Sequence, residues 1–203
     1  MKISLFIEGE TEKVFLPILR KFLEIHLSGR MPKIIPRSYY GRIPKEDKLK
    51  RDVNRLLCGT KAVDHVIALT DVYTGVEPPI FIDAKDAKCK MQTWVGTEPR
   101  FHPHAAQYDF EAWLLPYWST IQKLANHNKT APAGNPENVN HDFPPAHQMQ
   151  EILRLGKVRS YVKPRDAVSI LRKNNLIDTI NVCSELKAFV NTIITISGGQ
   201  TIP

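Results

Sequence analysis

Three carboxylates crowd one short stretch near the start of the chain: Glu8, Glu10 and Glu12, in the run Ile7-Glu-Gly-Glu-Thr-Glu12. Glu8 follows the apolar run Ile3 to Ile7, and Val14, Phe15, Ile18, Leu19 and Phe22 then recur at helical spacing, so the stretch reads as strand, tight turn, helix. In an open α/β sheet, ligands bind beyond the carboxyl ends of the strands, where this turn puts its acids. Glu10 and Glu12 also suit the first turn of a helix, where an acid gains about 0.3–1 kcal/mol from the macrodipole. Glu8 does not, because it precedes the glycine at the strand's end, and an ionised side chain there needs a partner such as a metal or a base. Asp71 ends the apolar run within Asp64–Tyr73, and Asp109 with Glu111 follows a strand expected over Arg100–Gln107. If these strands are parallel neighbours, their acids meet, and like charges so close call for a divalent cation. Hard oxygen ligands favour Mg²⁺ or Mn²⁺ over zinc.

The elements that must position these acids follow in order. The first helix is expected to end near Leu27, before Ser28-Gly29 and Pro32, with Pro17 kinking it or marking its first turn's end. A second strand is expected over Lys33–Tyr39 and a helix over Lys45–Cys58, with Leu49, Val53, Leu56 and Leu57 inward and Gly59 as its stop. The outer face of that helix carries Lys45, Lys48, Lys50, Arg51 and Arg55, a set that can track phosphates but more often forms a solvated face. Asp64–Tyr73 has the unbroken apolar core of a strand buried on both faces, as parallel sheets require. A loop over Thr74–Pro79 leads to a turn or short strand and a helix within Ile80–Val95, whose Lys85, Lys88 and Lys90 favour an anionic neighbour. Ala112–Ala125 reads as a helix with Trp113 and Trp118 packed in the core, and Asn126–Pro145, rich in Asn, Pro, Gly and Ala, as a loop or lid. Helices are expected over Ala146–Leu155, from Pro164 as first residue to about Lys173, and over Asp178–Ile196, capped by Asp178 and closed by Gly198-Gly199.

Composition is that of a globular protein, 42% hydrophobic and 24% charged over 203 residues, and the net charge of +7 leans toward an anionic partner such as nucleic acid. Cys58, Cys89 and Cys183 stand far apart with no CxxC pair, which argues against a zinc ribbon or disulfide framework and for a reducing, cytoplasmic setting. The run before Glu8 is too short for a signal sequence and no apolar run reaches a membrane span, so no membrane partner is expected. No phosphate-binding GxxxxGK[ST], GxGxxG turn or GxSxG elbow occurs. His102, His104, His141 and His147 lack a third ligand at diagnostic spacing and are expected in surface or loop roles.

The run Ile7-Glu8-Gly9-Glu10-Thr11-Glu12, followed by Leu69-Thr-Asp-Val-Tyr73, resembles the EGxTE and acidic strand-end motifs of the Toprim domain, in the version found in overcoming-lysogenization-defect (OLD) nucleases. Gln107-Tyr-Asp-Phe-Glu-Ala-Trp-Leu-Leu115 and Tyr161-Val-Lys-Pro164 are similar to a family of small bacterial Toprim-like proteins often found beside an AAA or ABC-type ATPase. The resemblance spans most of the chain. It implies an α/β, Toprim-like (Rossmann-like), mostly parallel sheet flanked by helices with a helical C-terminal third, read as one domain over residues 1–203: an α/β core to about 125 and a helical extension from about 141. It also implies a Mg²⁺- or Mn²⁺-dependent nuclease acting on DNA or RNA, the effector of an ATPase-coupled phage-defence pair. Glu8 and Glu12 would hold one ion, Asp71 with Asp109 or Glu111 would complete the cluster, and Lys163 would neutralise charge on the transition state. That makes Glu8, Asp71, Glu111 and Lys163 the expected catalytic set. One departure matters: the family's second motif is Asp-x-Asp, and this chain has Asp71-Val72-Tyr73. Glu77 or Asp83 is a candidate substitute, and Tyr73 either contacts a ligand or packs. The alternative is a catalytically silent binding module, an adaptor for a partner ATPase. Primase or topoisomerase activity fits less well, since those use this domain inside much longer chains.

Overall fold

A computed structural model describes residues 1–73, 78–138 and 143–203. The candidates Glu77 and His141 lie outside the described residues. Four parallel strands, β1 (Lys2–Ile7), β2 (Lys33–Ser38), β3 (His65–Asp71) and β4 (Phe101–Ala106), form one sheet in the order β2-β1-β3-β4. Between them run α1 (Glu10–Leu27), α2 (Glu46–Cys58) and α3 (Ala84–Val95). A 3-10 helix over Phe110–Tyr117 leads into α4 (Trp118–Ala125), and the C-terminal part is α5 (Pro145–Leu155), α6 (Lys163–Leu171), α7 (Leu176–Val182) and α8 (Ser184–Ile196).

The two faces of the sheet bury different partners because side chains alternate along a strand. Ile3, Leu5, Ile7, Ile67 and Leu69 point into a core shared with α1, the 3-10 helix and α5 to α8. Phe6, Val66, Ala68 and Phe101 pack on the other face against Leu49, Val53, Leu56 and Leu57 of α2 and Met91 and Val95 of α3. With helices on both faces, β1 is buried from Ile3 to Ile7, which is why it reads as an unbroken apolar run. Among the described residues, no helix is long and apolar enough to cross a membrane.

Several sequence expectations are corrected. Pro17 does not mark the end of α1's first turn: the helix runs on through it, and it lies on the exposed face, where water can serve the carbonyl left without its N–H donor. The helix expected over Ala112–Ala125 is two elements. Pro116 removes a donor from the first half, and there all but one residue of Phe110–Tyr117 is buried, so packing from every side sets the tighter 3-10 winding. Lys163, not Pro164, is the first residue of α6. The last expected helix starts earlier, capped by Asn175 rather than Asp178, and breaks at Cys183. The break has a tertiary cause: Glu137, 4% exposed and brought in by the stretch expected to be a loop or lid, accepts the Ser184 hydroxyl (2.8 Å), the Glu185 N–H (3.1 Å) and the Trp113 indole N–H (3.2 Å). A buried carboxylate therefore caps α8 from the far side of the chain.

Candidate metal centre

In the order β2-β1-β3-β4, the chain turns one way from β1 to reach β2 and starts again on the other side with β3. The crevice between the ends of β1 and β3 is thus the switch point of the sheet, where ligands bind in folds of this kind. Glu8 stands one residue beyond β1 and Asp71 is the last residue of β3. They touch directly: one oxygen of Glu8 accepts the Thr70 hydroxyl and the Asp71 backbone N–H (3.3 Å). β4 pairs with β3 up to Asp71 opposite Ala106, so the chain leaving β4 carries Asp109 and Glu111 to the same end of the sheet.

Around this crevice the acids are held one by one. Glu12, in the first turn of α1, takes the Gly9 N–H (3.0 Å), the return half of a capping arrangement. Asp109 Oδ2 accepts the Ala146 N–H (3.1 Å), while its buried Oδ1 has no close hydrogen-bond partner among the described residues, although the Glu111 N–H also steadies the carboxylate. Glu111, 0% exposed, accepts the Tyr161 hydroxyl (2.9 Å) on one oxygen and the Lys163 ammonium (3.2 Å) on the other. The Lys163 side chain remains 48% exposed, so it bridges the buried acid and solvent.

The electrostatics tie these positions together. Burial first, and then the charges of Glu8, Glu12, Asp109 and Glu111, raise the Asp71 carboxyl well above the usual carboxylate range. Burial pushes Glu8 up to about 7, with Glu12 adding and the Thr70 hydrogen bond and Arg42 opposing. Asp109 is pushed to about 7 by burial and Glu111, against the pull of Lys163 and the Ala146 N–H. Glu12 rises as well, chiefly by burial. Burial works against the Lys163 charge, but Glu111, Asp71 and Asp109 outweigh it and raise the ammonium's pKa. Five acids thus share one field, with Lys163 and Arg42 as the opposing cations.

Among the described residues, no three His, Cys, Asp or Glu side chains stand close enough together to hold a metal ion. Carboxylates that repel one another settle on separate donors, as Glu8, Glu12, Asp109 and Glu111 do here. The residues fit a hard divalent ion nonetheless: every donor is a carboxylate oxygen, Asp109 Oδ1 is buried with no close hydrogen-bond partner among the described residues, and the shared charge is what a cation would relieve.

Other candidates go elsewhere. Glu10 is exposed and paired with Lys13. Asp83 caps α3 by accepting the Asp86 N–H (2.7 Å), and Tyr73 is 47% exposed, so it does not pack. Lys88 pairs with Glu185 (2.6 Å) and Lys90 with Asp86 (2.8 Å), so their anionic neighbours are internal. His147 is on the surface as expected, but His102 bonds His65 (3.1 Å) and His104 is buried against Phe189. Burial drives His104 down to about 3, so it is a neutral ring within the sheet. Trp113 and Trp118 are core residues, as their spacing indicates. Two contributors escaped the sequence reading. Thr70 left no signal beyond its place before Asp71, whereas Tyr161 lay within the Tyr-Val-Lys-Pro motif without a role.

The family described as "Domain of unknown function (DUF4276)" matches residues 7–194. The chain belongs to that family. No curated protein matches it. Among solved structures, the C-terminal region of the Burkholderia pseudomallei OLD protein is similar, with a TM-score of 0.54 at 14% identity, covering 96% of this chain and 98% of that one. The C-terminal region of the Xanthomonas campestris pv. campestris OLD protein gives a TM-score of 0.47 at 13% identity, covering 97% and 96%. The Burkholderia match shows that this DUF4276 chain has the fold of an OLD C-terminal region over nearly its whole length.

Proposed function

We propose that this protein is a Toprim-type, metal-dependent nuclease that hydrolyses phosphodiesters in DNA or RNA. The observation that carries the reading is the convergence on Asp71: one carboxyl at the sheet's switch point feels four other acids drawn from two separate segments. Glu8, Glu12, Asp71, Asp109 and Glu111 would hold Mg²⁺ or Mn²⁺, whose chemistry there is to activate water and stabilise the leaving oxygen. Glu111, buried and fixed by Tyr161, holds the Lys163 ammonium at the mouth of the pocket. From there Lys163 neutralises charge developing on the phosphoryl oxygens. Thr70 fixes the Glu8 carboxylate through one oxygen, and the other would be available to the ion. Glu8, Asp71, Glu111 and Lys163 are the proposed catalytic set. The fold likeness to OLD C-terminal regions supports this reading, as do the free cysteines for a cytoplasmic setting. A partner ATPase and a role in phage defence are part of the same proposal, and residues 1–203 would act as one unit.

A nicking assay with Mg²⁺ or Mn²⁺ tests it, with Glu8→Gln beside wild type. Metal-dependent cleavage that Glu8→Gln abolishes is expected, and cleavage indifferent to that substitution would overturn the proposal. The second reading, a silent adaptor for an ATPase, draws on Tyr73, an exposed phenol where the motif has an acid. Calorimetric titration with Mn²⁺ separates the two, since an adaptor need not bind the ion.

A further inference from the structure

We propose that the groove between α5 and the 157–161 segment binds the phosphates of a single-stranded nucleic acid and leads the strand to the carboxylate pocket; only the second half of that statement rests on the nuclease reading. The groove, of about 480 Å³, is lined by Arg154, Lys157, Arg159, Ser160 and Tyr161 among others, and among the described residues no acid lines it. Its volume suits a short piece of one strand rather than a duplex. Tyr161 belongs to both places, because its hydroxyl bonds Glu111 in the pocket.

Both ends of this segment are built rigidly. A Cβ on Gly156 would lie 1.6 Å from the Ala125 carbonyl oxygen, so only glycine lets the end of α5 sit on the end of α4. The next residue, Lys157, is exposed and held at φ 52°, a left-handed conformation in which glycine or asparagine is usual. A lysine kept there at a cost of about 1 kcal/mol suggests that its charge matters at that spot. At the other end, Asp166, 1% exposed, pairs with Arg159 and Arg165 and takes the Val162 N–H (2.8 Å). Two guanidinium groups on one carboxylate leave one positive charge over. Cations fixed in this way lose little entropy when a polyanion arrives. Val158, 47% exposed, adds an apolar wall against which a base can rest.

The basic face of α2, the sequence's candidate for nucleic-acid contact, is a poorer one. Its cations alternate with Glu46, Asp47 and Asp52, and Arg55 is paired with Asp52 (3.2 Å).

Fluorescence anisotropy with a labelled single-stranded oligonucleotide in EDTA tests the groove without any cleavage. Arg154→Gln combined with Lys157→Gly removes two charges, and the glycine relaxes the strained backbone, so loss of fold does not confuse the result. The expected outcome is roughly tenfold weaker binding and a salt dependence shallower by about 1.4, two phosphate contacts at ~0.7 each. Lys48→Ala with Arg51→Ala should change neither by as much. An equal loss in both double variants, no loss in the groove variant, or tighter binding of a duplex that ignores the groove would each overturn the proposal. Groove-dependent binding alongside cleavage that Glu8→Gln leaves intact would sink the nuclease reading and keep the groove; the converse result would do the opposite.

Discussion

Removing the Glu8 charge should stabilise the metal-free protein at alkaline pH and leave it unchanged in acid. Folding raises the Glu8 carboxyl from 4.5 to about 7, so between those values the folded state holds a proton that the unfolded chain has released. Unfolding then releases protons, and stability falls as pH rises through that window, with the full penalty present above 7. A shift of this size corresponds to an upper value of about 3 kcal/mol. Asp109, raised from 3.8 to about 7, acts in the same direction, and because the acids share one field their contributions are not summed. The buried His104 acts oppositely, since a folded value near 3 makes stability rise with pH up to the histidine's ordinary 6.5. A wild-type pH profile alone therefore mixes both signs. The difference between wild type and Glu8→Gln cancels the histidine and isolates the carboxylate.

Glutamine keeps an oxygen for the Thr70 hydroxyl and the Asp71 N–H, so the fold around β1 and β3 is preserved. Thermal unfolding at pH 4.5 and pH 8 in EDTA should show equal midpoints at the lower pH and a variant more stable by roughly 6–12 °C at the higher, taking about 2–4 °C per kcal/mol for a chain of this size. Mn²⁺ at a thousandfold excess over Kd should reverse the order at pH 8, because only wild type gains the binding free energy, about 4.1 kcal/mol, which exceeds the penalty. A variant less stable than wild type at pH 8 without metal, or a difference that ignores pH, would refute the shared-charge account of the pocket.

Three further outcomes follow from named contacts. Lys163→Met should lower the single-turnover cleavage rate by about 10²–10³ with little change in oligonucleotide affinity, as for loss of one donor to a developing anion; an unchanged rate would remove Lys163 from the chemistry. Glu137→Ala should lower unfolding stability in urea by roughly 3 kcal/mol or more, because the Trp113, Ser184 and Glu185 donors lose their acceptor together, and a change below about 1 kcal/mol would mean that Glu137 does not cap α8. Gly156→Ala should cost roughly 2–4 kcal/mol in the same measurement, since its methyl would overlap the Ala125 carbonyl; a neutral result would show that the α4 and α5 ends part easily.

The sequence by itself determined the parallel sheet and the position of its acids. Unbroken apolar runs at Ile3–Ile7 and within Asp64–Tyr73, bounded by turn residues, read as strands covered on both faces, and an acid ending such a strand lies at the sheet's carboxyl edge. That is local information, legible from period and punctuation. Tertiary structure decided what depends on distant partners. The order β2-β1-β3-β4 sets Glu8 against Thr70 and Asp71, sixty residues away in sequence. Glu137 breaks the last helix at Cys183, Phe189 covers His104, and burial of all but Pro116 accompanies the 3-10 winding of Phe110–Tyr117. No pattern of neighbours in sequence encodes such contacts. Likewise the acids among the charges of α2 are visible in the sequence, but only folding shows Arg154, Lys157 and Arg159 lining one groove together with Tyr161.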